Sequence, residues 1–195
     1  MLAKTLIIAC SPRPGGNSDL MAKWAEEQVI ANNLDVETIY LRKLKFSPCI
    51  ECDQCYQDGK CHVKDDMQEI YPKLIEAERI IVSAPIFFYS FGALAKAFID
   101  RAQCYWSKKF VLKQPTIADE SFRAKRKLFV LLCGGTNFPD TFSYTEKIIQ
   151  NYCLMLEAKY AGGAFFPAID AKGDILKEPK FADKIKKEIN NFLQM

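Results

Sequence analysis

The stretch Lys4-Thr-Leu-Ile-Ile-Ala-Cys-Ser-Pro-Arg-Pro-Gly-Gly-Asn-Ser18 decides the fold class. Its first part, Lys4–Ala9, is a short aliphatic run without polar alternation. Such a run suits a strand covered on both faces, as in a parallel sheet. Ser11–Asn17 then breaks any regular structure with two prolines and two glycines. Asn17 or Ser18 is placed to cap a helix running to about Asn32, with Leu20, Met21, Trp24, Ala25 and Val29 on its apolar side.

The same strand–loop–helix unit recurs along the chain. Strands are expected at Asp35–Leu41, Arg79–Ala84, Lys127–Cys133 and Ala158–Phe166. Helices are expected at Asp65–Ala77, Ala93–Tyr105, Thr141–Glu157 and Glu178–Leu193, with Pro72 kinking or shortening the first of these. Alternating strands and helices imply an α/β fold, a doubly wound parallel sheet with right-handed crossovers. Residues 1–195 read as one domain with two additions. One is a cysteine-rich insertion at about 46–63; the other is a basic loop at about 107–127, a candidate lid or interface arm.

Composition narrows the function. With 49% hydrophobic and 26% charged residues the chain is an ordinary globular one, neither disordered nor fibrous. A net charge of +3 is too small to make nucleic-acid binding a main role. No apolar run reaches the length needed to span a membrane, and the start lacks a secretory apolar region, so a cytoplasmic location is expected. In that compartment thiols stay reduced, and clustered cysteines point to metal or redox chemistry.

Ligands of open α/β sheets bind beyond the carboxyl ends of the strands. The first such loop matches neither G-x-G-x-x-G nor the P-loop pattern. It does hold what a phosphate monoester requires. Ser11 and Ser18 offer hydroxyls, Arg13 offers charge, Gly15 and Gly16 allow close approach, and the helix presents free N–H groups. Pro85-Ile-Phe-Phe-Tyr-Ser90 offers an apolar side for a flat ring. Gly134-Gly-Thr136 offers bare backbone for hydrogen bonds to ring edges. A phosphate site beside a flat apolar slot suggests FMN.

Cys49, Cys52, Cys55 and Cys61 form C-x2-C-x2-C-x5-C. One loop with C-x2-C-x2-C spacing wraps three corners of a [4Fe–4S] cluster, and Cys61 is near enough in sequence for the fourth. Zinc, whose ribbons usually space two knuckles more widely, and unligated redox-active thiols are the alternatives. Cys10, Cys104, Cys133 and Cys153 are isolated, and Cys10, Cys133 and Cys153 read as small core residues. His62 is the sole histidine, so Ser-His-Asp hydrolysis fits poorly and no catalytic side chain is assigned.

Taken together, S-P-R-P-G-G-N-S at 11–18, the compact cysteines followed by Lys64-Asp-Asp-Met67, S-A-P-I-F-F-Y-S at 83–90 and A-K-A-F-I-D-R ending at Arg101 resemble the flavodoxin-like NADPH-dependent FMN reductase superfamily. The cysteine spacing is most similar to its iron–sulfur flavoprotein branch. The resemblance implies a flavodoxin-like five-stranded sheet of order 2-1-3-4-5, FMN, a [4Fe–4S] cluster and a homodimer or homotetramer. Ser11, Arg13, Gly16, Asn17 and Ser18 would hold the phosphate of FMN. Pro85, Ile86, Phe87 and Tyr89 would line the ribityl and ring region, with Gly134, Gly135 and Thr136 opposite. Cys49, Cys52, Cys55 and Cys61 would ligate the cluster. The expected function is electron transfer between FMN and the cluster. NAD(P)H or a ferredoxin-like protein docking on the basic loop would be the donor. Two alternatives stand beside it: an NAD(P)H-dependent FMN, quinone, nitro or azo reductase without a cluster, and a flavodoxin-fold scaffold or zinc/thiol sensor.

Overall fold

The computed structural model describes residues 4–195. Its elements run β1 (Thr5–Ala9), α1 (Asn17–Ala31), β2 (Val36–Tyr40), α2 (Cys55–Asp58), α3 (Met67–Glu76), β3 (Arg79–Phe87) and β4 (Ser90–Phe91). They continue with α4 (Ala93–Asp100), α5 (Gln103–Trp106), α6 (Glu120–Lys125), β5 (Lys127–Cys133), α7 (Ser143–Leu156), β6 (Lys159–Phe166) and α8 (Pro179–Gln194).

Five strands are parallel in the order β2-β1-β3-β5-β6. Counted among themselves they follow the expected order 2-1-3-4-5. The expected total of five is corrected to six, because β4 pairs antiparallel with the end of β3. The cause is local: β3 runs on through Pro85-Ile-Phe, where a loop is expected from the sequence, and turns back at Phe88-Tyr89.

Strand side chains alternate between faces, and here the alternation divides the core in two. Ile7, Ile81, Phe129 and Leu131 point to the face covered by α1 and α8, against Met21, Val29, Ile185 and Phe192. Leu6, Ile8, Ile80, Val82, Leu128 and Val130 point to the other, against Ile70, Leu74, Phe98 and Ile149 of α3, α4 and α7. Burying both faces explains why these strands are continuously aliphatic. Each such side chain contributes roughly 2 kcal/mol.

Two other elements depart from the sequence expectation. The helix expected over Ala93–Tyr105 is interrupted at Arg101–Ala102. The helix α3, by contrast, keeps Pro72 inside it and, at Met67–Glu76, is shorter than the Asp65–Ala77 range, as the proline led one to expect. The basic stretch is not wholly irregular: a π-turn at Ser107–Val111 extends α5, and α6 starts at an Asp119 cap accepting from Phe122 N at 3.0 Å. Among the described residues no helix is long and apolar enough to cross a membrane.

Candidate functional site

A cleft of about 230 Å³ opens at the carboxyl ends of β1, β3, β5 and β6. Ser11, Arg13, Gly16, Asn17 and Ser18 form one wall, Pro85, Ile86 and Phe87 a second, and Gly134 and Gly135 a third. Four loops far apart in sequence meet there because a parallel sheet puts all its strand ends on one edge. Tyr89 and Thr136 are not among its lining residues. Tyr89 stands at the hairpin tip, edge-on to Tyr144 at 6.3 Å, and Thr136 bonds Thr141 through their hydroxyls at 3.1 Å.

The phosphate loop is braced from both sides. Gly15 has φ +65°, which glycine adopts freely. Its N–H donates to Asp19 Oδ2 at 3.0 Å, and Asp19 pairs with Arg42 at 2.8 Å. Arg42 therefore balances an acid that would otherwise face an anion. Ser11 Oγ donates to Arg13 O at 2.8 Å and shapes the turn. The leading N–H groups of α1 have no carbonyl of their own helix to bond, which leaves them to an anion. Asn17 lines the cleft while its side chain is engaged within the fold. Its Nδ2 donates to Ala171 O at 2.9 Å, and its Oδ1 accepts from Gly173 N at 3.0 Å, so the amide anchors the loop after β6.

That loop was missed from sequence, yet it supplies the fourth wall through Ile169 and Asp170. Arg13 Nη2 donates to Asp170 O at 3.0 Å and closes the rim. Lys172 lies over Gly15, with its Nζ 3.6 Å from where a Cβ there would sit, bringing a second cation to the phosphate loop. The available signal was its position after the last parallel strand. The N–H of Gly134 is committed to Phe166 O at 3.1 Å, and Gly135 beside it stays in the lining of the cleft. Burial pushes the Cys133 thiol up to about 12, so it is a neutral wall group.

A second, narrow cleft of about 20 Å³ collects Cys49, Cys52, Cys55 and Cys61. Glu51 (φ +50°) and Asp53 (φ +54°) alternate with the first three thiols in left-handed backbone, and Gly59 (φ +73°) turns the chain before the last. Ser107 Oγ ties Cys55 O at 2.7 Å. Cys55 is buried and Cys52 exposed, so the cleft opens to the surface on one side. Arg101 and Cys104 complete its inner wall. Burial opposes the charge on Arg101, but hydrogen bonds with Asp65 and Tyr71 outweigh it and hold the guanidinium above its usual value. Burial, then the neighbouring Cys61 and Cys55, pushes the Cys104 thiol up to about 12. His62 pairs with Asp58 at 3.2 Å rather than with a sulfur.

The basic stretch corrects another expectation. Arg126 is 1% exposed. It donates to Ala77 O at 2.9 Å and also to Leu74 O and Leu156 O, at the C-terminal ends of α3 and α7. Carbonyls there carry the negative end of the helix dipole, so Arg126 is a buried cap rather than a docking charge. Lys127 is buried too, over the Phe192 ring. Replacing Lys125, Arg126 and Lys127 together would test folding, not docking.

Comparison with known proteins adds the following. Residues 3–162 match the profile of the family described as NADPH-dependent FMN reductase. An iron–sulfur flavoprotein of Methanocaldococcus jannaschii is 36% identical over 51% of this chain and 52% of its own length. A putative NAD(P)H-dependent FMN-containing oxidoreductase of Bacillus subtilis is 30% identical over 69% of this chain and 68% of its own. The chain spans about half the length of two archaeal iron–sulfur flavoproteins that it matches, 52% and 56%. Among solved structures, the NAD(P)H:quinone oxidoreductase from Methanothermobacter marburgensis superposes with a TM-score of 0.75 at 13% identity, covering 98% of this chain and 96% of that one. At that identity the likeness concerns the fold.

Proposed function

The chain belongs to the NADPH-dependent FMN reductase family, and on that footing we propose that it is an FMN-binding redox protein that passes electrons between FMN and a [4Fe–4S] cluster. The observation that carries the cluster is the shared cleft of Cys49, Cys52, Cys55 and Cys61. A four-iron cube takes one thiolate at each of four separated corners. The left-handed Glu51 and Asp53 cost roughly 1–2 kcal/mol each, strain of a kind that collects at functional sites.

The chain's own part toward FMN is binding and electrostatics, while the bound flavin and cluster supply the electron chemistry. The α1 N-terminus, Ser11, Ser18, Arg13 and Lys172 serve the phosphate. Pro85, Ile86 and Phe87 give the ring an apolar side that excludes water, and Gly135 and Thr136 offer N–H groups to its edge. The two clefts share no lining residue. In the proposed homodimer or homotetramer, one chain's cysteine cleft faces another's FMN. A ferredoxin-like donor would approach from the neighbouring cleft that Lys60 and Lys108 line together with Cys61 and Cys104.

Anaerobic purification with iron, sulfide and flavin analysis tests this. The expected result is about four irons per chain with FMN, and loss of the iron in Cys52→Ser but not in Cys153→Ala. The relative from Bacillus subtilis favours a second reading, an NAD(P)H-dependent flavin reductase without a cluster. Flavin without iron, together with rapid NADPH oxidation, would replace the first reading by the second.

A further inference from the structure

Where the helix expected over Ala93–Tyr105 breaks, a guanidinium turns into the cysteine cleft. Arg101 is 1% exposed. Its Nη1 donates to Asp65 Oδ2 at 2.6 Å and to Ser47 O at 2.8 Å, and its Nε donates to Tyr71 Oη at 3.2 Å. Its Nη2 donates to Asp65 Oδ1 at 3.1 Å and to Cys61 Sγ at 3.3 Å. The Arg101 carbonyl, freed by the helix break, accepts from Tyr71 Oη at 3.3 Å and from Cys104 Sγ at 3.4 Å. The guanidinium is therefore held on every side, and one donor reaches a thiol of the four-cysteine set.

A buried ion pair alone does not account for this arrangement. The forked contact with Asp65 satisfies the charge, and desolvation makes such pairs weak contributors to stability. The contact left over points at sulfur. We propose that Arg101 is a positioning residue for the cluster, which holds the Cys61 sulfur by an N–H···S hydrogen bond and raises the cluster's reduction potential. This rests on the cluster reading above. An added electron spreads negative charge onto the ligating sulfurs. An N–H fixed toward one of them stabilises the reduced state more than the oxidised one, and does so strongly where water is excluded. Asp65 and Tyr71 act through Arg101 by fixing its plane.

The test uses the whole protein, reconstituted anaerobically with ferrous iron and sulfide, and a potentiometric titration followed by electron paramagnetic resonance. Arg101→Lys keeps the charge but loses the fork, and the Asp65→Asn/Arg101→Gln double variant removes the pair without leaving a lone buried charge. Both should retain the wild-type iron content and shift the oxidised-to-reduced ratio at fixed poise about tenfold toward oxidised, a midpoint lower by about 59 mV for one electron. An unchanged midpoint in the loaded variants overturns the role of Arg101 and leaves the cluster standing. Wild-type protein that takes up no iron and sulfide overturns the cluster itself. Should neither variant fold, wild-type protein grown with 15N-labelled arginine decides. Pulsed resonance on the reduced cluster should show a 15N coupling, and its absence overturns the proposal.

Discussion

A Cβ at Gly16 would lie 2.7 Å from Ser11 Oγ and 3.3 Å from Arg13 Cγ. The backbone there, at φ −69° and ψ 169°, suits any residue, so the constraint is crowding rather than strain. Gly16→Ala is expected to displace both side chains and weaken FMN binding about tenfold, roughly 1.4 kcal/mol, with little change in the unfolding midpoint. Titration by flavin fluorescence quenching checks this, and an unaltered Kd would remove Gly16 from the site. The glycines and serines of this loop are legible in sequence because their chemistry is local. Asn17 is not. Its polarity marks it as a site residue, but its amide bonds residues more than 150 positions away, and no local signal reports that. The same holds for Arg42, whose contact with Asp19 spans two elements.

At the level of elements, the hairpin of β3 and β4 is the clearest surprise. A two-residue turn with both residues at positive φ is ordinarily Asn-Gly, because a side chain there crowds the backbone. Here it is Phe88 (φ +49°) and Tyr89 (φ +63°). Turn prediction from composition has nothing to find in such a pair, so the extended strand reads as loop. Gly92 permits the arrangement, since a Cβ there would lie 2.6 Å from the Phe87 ring. Phe88 is fully exposed and packs on nothing that offsets its strain. Phe88→Asn should therefore stabilise the fold by roughly 1 kcal/mol, seen as a melting midpoint about 2–4 °C higher. A lower midpoint would mean that the aromatic ring is doing something for the folded chain. Arg126 shows the converse error: a basic residue in a basic run reads as surface charge, and only the meeting of two helix C-termini makes it core.

For the whole molecule, the larger cleft joins the ends of four parallel strands, so occupying it should stabilise the sheet as a unit. FMN at one hundred times its Kd is expected to add about 2.7 kcal/mol, a rise in melting midpoint of roughly 5–10 °C. Calorimetry with and without FMN measures it, and an unmoved midpoint would count against the cleft as the flavin site. The sequence by itself determined the class of fold, because continuous aliphatic strands alternating with amphipathic helices have one economical way to bury both faces of a sheet. It also determined the two candidate chemistries, since the phosphate loop and the cysteine run are each contiguous. What only the tertiary structure decided is everything built by convergence. That includes the loop after β6 as the fourth wall, Arg101 against Cys61, and the conversion of Arg126 from surface charge to buried cap. Those contacts join segments distant in sequence, and their partners are set by packing, which no local pattern encodes.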